Sequence, residues 1–359
     1  MKLLHIFPVL DNGGTEEVIY NISKYLRENQ NDIIIGLCAE TSHGTRRDLF
    51  VKSNIKLLNA PKLSNKKSIF SNISSVKKAI NSFKPNIVHT HSLYVLIIAY
   101  IVKKLTNKKF EIIHTGHGGP SKDYDKLATK FSWMASIYIA ISKHSYNYLT
   151  ENTKKNNIRL INNGTYKPNK DEVLRDLPKG SNYQLKIAFI GRLTLQKGLF
   201  TLFEAINILR KYNFNIKLII IGSGEQEKVL KEYVKENKLN SIIEFKGFVN
   251  EPWKVVVGYP IIVMPSLWEP GGLVAIEGIV RNHTVVASNI QGLKDIIIDG
   301  ENGYLFEKEN ADDLAYRIKD IFLNNKYINL STSYREKYLF ETSTGPAYWQ
   351  AYQELFKEI

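Results

Sequence analysis

A chain of 359 residues exceeds what one hydrophobic core usually holds, so two domains are expected. Its 43% hydrophobic and 23% charged residues argue against disorder, and its single cysteine, Cys38, excludes an intramolecular disulfide and a cysteine-built zinc site and fits a reducing cytosol. The net charge of +14 belongs to the first half: residues 1–180 carry 28 Lys and Arg against 14 Asp and Glu, whereas residues 181–359 carry 21 of each. Such asymmetry points to an anionic surface: a lipid leaflet, a lipid-diphosphate acceptor or nucleic acid.

In chain order, Met1 to Phe7 reads as a strand and not as a signal peptide, because it lacks a long apolar core and a small-residue cleavage site. No run reaches the ~18 apolar residues of a transmembrane helix. Gly13-Gly14 then precedes a helix over Glu16–Glu28, a place where backbone N–H groups can meet a phosphate or sugar. Further strands are expected at Ile33–Cys38, Ile87–Thr90, Glu111–His114, Ile137–Ile141 and Ile158–Ile161, with helical patterns such as Ser71–Phe83 between them. His89 and His91 end one strand on one face, and with no third ligand apparent a metal is not expected there. His117 follows the next strand in His114-Thr115-Gly116-His117-Gly118-Gly119. Asp123-Tyr124-Asp125 has the form some transferases use to hold a divalent cation, but it is read as a chance match in a loop.

Pro168, Pro178 and Gly180 interrupt the pattern and mark a linker at 166–184 between a first domain at 1–165 and a second at 185–335. Strands follow at Lys186–Ile190, Lys217–Ile221, Ile242–Phe245, Ile261–Met264 and Val285–Ala287. Apolar runs joined through helices predict an α/β protein with two doubly wound parallel sheets. After the first of these strands comes Gly191-Arg192-Leu193-Thr194-Leu195-Gln196-Lys197-Gly198, which opens a helix with Leu199, Leu202, Ala205, Ile206 and Leu209 at helical spacing. Two cations in such a turn can hold a diphosphate. After Ile261–Met264 comes Pro265-Ser-Leu-Trp-Glu-Pro-Gly-Gly-Leu-Val-Ala-Ile-Glu277, with carboxylates at Glu269 and Glu277 flanking a helix start. This suits a sugar nucleotide: N–H groups for the diphosphate, Glu277 for ribose hydroxyls and Glu269 for the transferred sugar. The segment 336–359 ends in aromatic and apolar residues at helical spacing, from Tyr348 to Leu355.

These stretches resemble glycosyltransferase family 4, the retaining transferases of the GT-B fold, over nearly the whole chain and most strongly between 186 and 306. The resemblance implies two Rossmann-like domains facing across a cleft that closes during turnover, with the C-terminal helix crossing back to the first domain. It implies catalytic roles for Arg192, Lys197, Glu269 and His117, the cations contacting the leaving diphosphate and His117 contacting the donor sugar. Donor-binding positions would be Gly13, Gly14, Gly191, Gly222, Gly271, Gly272, Leu273, Val274 and Glu277, and the base would be read near Gly222–Gln226 and Phe245–Val249. His89 and His91 match the family's Asp-x-x-His-x-His stretch, with Asn86 in place of Asp, and are read as structural.

The implied activity is transfer, with retention, of a sugar from a UDP- or GDP-sugar to a glycan or lipid-linked acceptor in bacterial O-antigen, capsule or lipopolysaccharide biosynthesis. No cofactor or metal is required, since Arg192 and Lys197 supply positive charge. The expected location is cytoplasmic, peripheral on the anionic inner face of the cell membrane through the first domain, with no nucleic-acid partner. The alternatives are a GT-B sugar-nucleotide epimerase and a non-catalytic binding subunit. The chain departs from the family pattern at Glu17, Gly271, Gly278, Asn282, Thr284 and Gln291, which bears on donor identity more than on activity.

Overall fold

The computed structural model describes residues 1–357 apart from 11–12, 31, 41–46, 60–62, 64–67, 107, 120–122, 155–156, 176 and 178–183. The chain divides into two compact units, Met1–Asn163 with Phe340–Ile359, and Gly164–Leu339.

In the first unit, β1 (Lys2–Val9), β2 (Ile34–Glu40), β3 (Lys56–Asn59), β4 (Ile87–Thr90), β5 (Glu111–Gly116), β6 (Ile137–Ala140) and β7 (Ile158–Leu160) form one sheet. Its order is β3-β2-β1-β4-β5-β6-β7, and every pairing is parallel. Parallel strands need crossover helices, so both faces are covered and the strands read as nearly continuous apolar runs. Helix Leu93–Thr106, apolar almost all round, buries Val95, Leu96, Ile98, Ala99 and Val102. Together with Val76 and Ile80 of helix Ile69–Phe83, it packs on Leu4, Ile6, Val88 and Ile112. The C-terminal helix, Gly345–Phe356, belongs to this unit and buries Tyr348 and Tyr352 completely or nearly so.

The second unit repeats the plan with β8 (Leu185–Ile190), β9 (Ile216–Ile221), β10 (Ile243–Gly247), β11 (Ile261–Met264), β12 (Thr284–Ser288) and β13 (Tyr304–Phe306), in the order β10-β9-β8-β11-β12-β13. Leu199, Leu202, Ala205, Ile206 and Leu209 form the buried stripe of helix Leu199–Arg210, as their spacing predicts, and pack on Ile187, Phe189, Leu218 and Ile220.

The edge strands β3 and β13 have no counterpart in the sequence reading. The stretch expected as a linker is packed into the second unit. Residues described between 166 and 184 lie in the second unit, fastened there by the Glu172–Arg281 ion pair (2.9 Å) and by the Leu174 N–H donating to Arg281 O (2.9 Å). Those side chains are only 13% and 9% exposed, so a segment without periodicity is held by specific contacts instead. At the other end, helix Thr332–Glu336 stays with the second unit, and the change of unit falls between Leu339 and Phe340 rather than at 336.

Candidate functional site

Each sheet reverses its winding at one point, between β1 and β4 in the first unit and between β8 and β11 in the second. Loops leaving adjacent strands diverge there and open a crevice at the carboxyl ends, the usual ligand position in open parallel sheets. Both charged motifs leave the second switch point: Gly191–Gly198 follows β8, and Pro265–Glu277 follows β11.

These two loops are locked together. Leu267 N–H donates to Gln196 O (2.8 Å), and Gln196 Nε2 donates to Trp268 O (3.0 Å). Gly198 has φ +58°, and a side chain there would run into the carbonyl oxygen of Pro265. Gly292, φ +87°, sits in the same way against the carbonyl of Glu269. Glycine is therefore required at both positions to let the backbones approach.

The junction brings Lys197 Nζ into an ion pair with Glu269 Oε2, with side chains 14% and 11% exposed, and Ser266 Oγ donates weakly to the same carboxylate oxygen (3.4 Å). Arg192 is exposed and has no ion-pair partner among the described residues. Gly271 and Gly272 lead into helix Leu273–Val280, whose N-cap is Gly272; with no capping side chain there, the N–H groups of Leu273 and Val274 stand at a positive helix terminus. On the second turn, Glu277 Oε2 accepts from Trp253 Nε1 (3.2 Å). Gly222 follows β9, and its N–H donates to Gly247 O (2.8 Å), so the two stretches expected to read the base are neighbours. The arrangement offers one free guanidinium, one shared ammonium, a helix N-terminus and two carboxylates. It is fitted to a diphosphate with hydroxyl-bearing groups on either side.

The first switch point is built mainly from histidines. Gly13 is the N-cap of helix Gly14–Asn29, and Glu16 is buried one turn on. Parallel register sets His5 of β1 beside His89 of β4. His5 Nδ1 then faces His91 Nε2 at 2.9 Å, and His91 Nδ1 faces His117 Nε2 at 3.0 Å. His89 is held at both nitrogens, by the Tyr352 hydroxyl (2.7 Å) and by Thr115 Oγ1 (2.8 Å), and Tyr348 OH reaches Thr115 Oγ1 (3.2 Å). Burial pushes His5 and His117 down to about 3 and His114 likewise, and holds His89 and His91 well below the ordinary imidazole value, with neighbouring histidines adding to the effect at His89, His91 and His114. The cluster is uncharged at neutral pH.

His5 is the third histidine the sequence reading did not find: ligand nitrogens of His5, His89 and His91 lie within 4.8 Å of one another. They suit a metal poorly. Both His89 nitrogens are already held by hydroxyls, and His5 and His91 meet at hydrogen-bond distance, so three free lone pairs do not converge.

Two family models account for most of the chain: Glycosyltransferase Family 4 over residues 12–165 and Glycosyl transferases group 1 over residues 172–337. The chain belongs to glycosyltransferase family 4. An uncharacterized glycosyltransferase of Methanocaldococcus jannaschii is 35% identical over 190 residues, covering 52% of this chain and 50% of that relative's own length. A capsular polysaccharide biosynthesis glycosyltransferase of Staphylococcus aureus is 24% identical over 276 residues, covering 71% and 72%. Among solved structures, Anabaena HepE in complex with UDP-glucose has a TM-score of 0.81 at 17% identity, covering 99% of this chain and 100% of that one, a likeness of fold: GT-B.

Several departures from the family-4 pattern have local explanations. Asn282 takes φ +66°, and its amide accepts from Leu330 N–H (3.3 Å) and donates to Asn329 Oδ1 (3.2 Å), so it both turns the chain and fastens it. Thr284 Oγ1 accepts from Ile328 N–H (2.9 Å). A methyl at Gly278 would stand 3.0 Å from Val285 Cγ2, which explains why glycine packs well where alanine is usual. Asp123-Tyr124-Asp125 lies in the first turn of helix Asp123–Phe131, not in a loop, and Asp125 accepts from Ser145 Oγ (3.0 Å). That carboxylate has a structural use.

Proposed function

We propose that the protein is a retaining, metal-independent glycosyltransferase that moves a sugar from a UDP- or GDP-sugar to a glycan or lipid-linked acceptor of a bacterial surface polysaccharide such as O-antigen, capsule or lipopolysaccharide. The observation that carries this reading is the pairing of Gly191–Gly198 with Pro265–Glu277 at one switch point, which gathers Arg192, Lys197, Glu269 and Glu277 around a helix N-terminus. The names of two relatives add support: one acts in capsule biosynthesis, and one of the same fold binds UDP-glucose.

In the proposed reaction Arg192, Lys197 and the N–H groups of Gly272, Leu273 and Val274 stabilise charge growing on the leaving diphosphate. Glu277 fixes the ribose, Glu269 orients the donor sugar and His117 meets that sugar's hydroxyls. The acceptor attacks on the face the diphosphate leaves, and a phosphate oxygen takes its proton. In this reading Lys197 turns from its ion pair with Glu269 to the phosphate once the donor is bound, which frees Glu269 for the sugar. The test is product analysis with UDP- and GDP-sugars and a lipid-linked acceptor. The expected product keeps the donor's anomeric configuration and forms in the presence of a chelator. An inverted anomer, or a requirement for divalent cation, would overturn that part of the reading.

The proposed site of action is the inner face of the cell membrane. No helix among the described residues is long and apolar enough to cross a membrane. Helix Ile69–Phe83 exposes Ile69 (43%) and Phe70 (79%) with Lys77 and Lys78, a pattern suited to an anionic interface. Lys66 and Lys67, which complete the basic cluster in sequence, lie outside the described residues. Co-sedimentation with anionic vesicles should exceed that with neutral ones and fall in Lys77→Glu/Lys78→Glu; equal binding would reject this helix as the contact.

A further inference from the structure

The His5–His91–His117 chain has a direction. A neutral imidazole carries one N–H and one lone pair, and the partner of one nitrogen decides the state of the other. His5 Nε2 is buried without a partner. A buried N–H left unpaired is rarer and more costly than an unused lone pair, so the His5 proton belongs on Nδ1, from which it is donated to His91 Nε2. His91 must then keep its own proton on Nδ1 and donate it to His117 Nε2. His117 in turn is left with its proton on Nδ1, a nitrogen with no hydrogen-bond partner among the described residues. His117 is also the half-exposed member of the chain, the other two being buried. His114 obeys the same logic: its Nε2 is unpartnered, and its Nδ1 faces Thr90 Oγ1 (2.9 Å), whose own hydroxyl points to Ile113 O (3.3 Å).

We propose that His5 and His91 are positioning residues that fix His117 as the Nδ1–H tautomer, so that it presents a hydrogen-bond donor, and not a base, to an oxygen of the donor sugar. The proposal rests on the reading that His117 meets that sugar. It has a chemical consequence: with its lone pair committed to His91, His117 cannot take the acceptor's proton. Its ligand must offer an oxygen lone pair, as a sugar hydroxyl or an acetamido carbonyl does, and a deoxy sugar lacking that oxygen should be a poorer donor.

The test is long-range proton–nitrogen correlation on the full-length, ligand-free protein with ¹⁵N-labelled histidine, the signals being assigned through single substitutions. His5, His91 and His117 should all show the Nδ1–H pattern. In His5→Phe, which keeps a ring but no donor, His117 should acquire a substantial Nε2–H population, and kcat should fall about fivefold, the usual weight of one neutral hydrogen bond. His5→Asn, whose amide can stand where Nδ1 does, should restore both. An Nε2–H tautomer at His117 in the unsubstituted protein, or a tautomer indifferent to His5→Phe, overturns the relay; the first needs no variant to fold. Unchanged turnover in His117→Ala would instead overturn the sugar contact and leave the tautomer assignment standing.

Discussion

The two switch points share a topology and differ in chemistry. At β8 and β11 the loops carry fixed charge: Arg192 exposed, Lys197 paired with Glu269, and Glu277 on the following helix. At β1 and β4 the same geometry holds five buried or half-buried histidines kept neutral by their surroundings. Charge that must meet a diphosphate has to remain partly solvated, because a fully buried ion would lose its charge or cost several kcal/mol. Neutral imidazoles can be buried deeply provided their N–H groups are paired, an unused lone pair being tolerated. In the proposed reaction one plan would serve a charged leaving group in one unit and uncharged oxygens in the other.

The largest expected effect separates the units by acid. Below pH 6.5 the unfolded chain protonates its histidines, whereas folded His5, His114 and His117 resist until about 3, and His89 and His91 also stay neutral well below the ordinary value. Stability contributed by this neutrality is complete above about 6.5 and is lost as pH falls toward 3, by up to about 1.4 kcal/mol per pH unit for each group. The second unit has one such group among the described residues, His283, pushed down to about 4. Hydrogen exchange compared at pH 7.5 and 5 should show protection falling much further in β1, β4 and β5 than in β8, β9 and β11. Equal losses would erase the contrast.

Next come the cations. Arg192→Ala removes an exposed side chain, so stability should stay within about 0.5 kcal/mol while turnover falls on the order of 10²-fold or more. Lys197→Ala should lose as much turnover and also destabilise, because it strands the Glu269 carboxylate in a largely buried place. Adding Glu269→Ala should recover the melting temperature without recovering turnover. Activity regained along with stability would make Lys197 a structural residue only.

How much of this was legible follows from where the information lies. The charged site occupies two continuous stretches, each with its strand, glycines and charges in fixed order, so Gly191–Gly198 and Pro265–Glu277 could be read directly from the sequence. What escaped there is what one loop does to the other: Gln196 bonding to Trp268, and Gly292, in a third segment, making room for the Glu269 carbonyl. The histidine cluster is assembled by register. His5 lies 84 residues before His89 and meets it only because β1 and β4 pair in parallel, and Tyr348 and Tyr352 arrive from the far end of the chain. Alternation along β1 places His5 on a face but does not say which residue stands opposite. The fold was legible through its apolar runs, whereas the short edge strands β3 and β13 and the fastening of Glu172 to Arg281 depend on tertiary contacts that leave no local pattern.

Glycine substitutions test whether the two charged loops are held by close approach. Gly292→Ala or Gly198→Ala would force a methyl into a backbone carbonyl at positive φ, and either should cost at least about 2 kcal/mol in denaturant unfolding and reduce turnover by displacing Glu269 or Lys197. Gly258, with nothing within 4 Å of an added methyl, is the control, and Gly258→Ala should change stability by no more than about 0.5 kcal/mol. Similar costs at all three sites would show that the loops do not depend on that approach.

The smallest effect concerns Trp253. Its indole N–H donates to Glu277 Oε2 at 3.2 Å, and its ring lies under the Arg281 guanidinium at 5.0 Å, itself paired with Glu172. The tryptophan therefore orients the carboxylate assigned to the ribose and links it to the segment that would otherwise be a free linker. Trp253→Phe keeps an aromatic face for Arg281 and removes only the donor. A neutral donor to a carboxylate contributes about 1.5–3 kcal/mol at most, and less where water can replace it, as at this half-buried group. Nucleoside-diphosphate affinity should fall by a few-fold, with kcat at saturating donor nearly unchanged. Glu277→Gln should weaken the same affinity more, and Glu269→Gln should leave it nearly intact while slowing transfer. If calorimetry instead finds nucleotide affinity sensitive to Glu269 and indifferent to both Trp253 and Glu277, the two carboxylates have exchanged roles, and the ribose sits on the Lys197 side of the helix terminus.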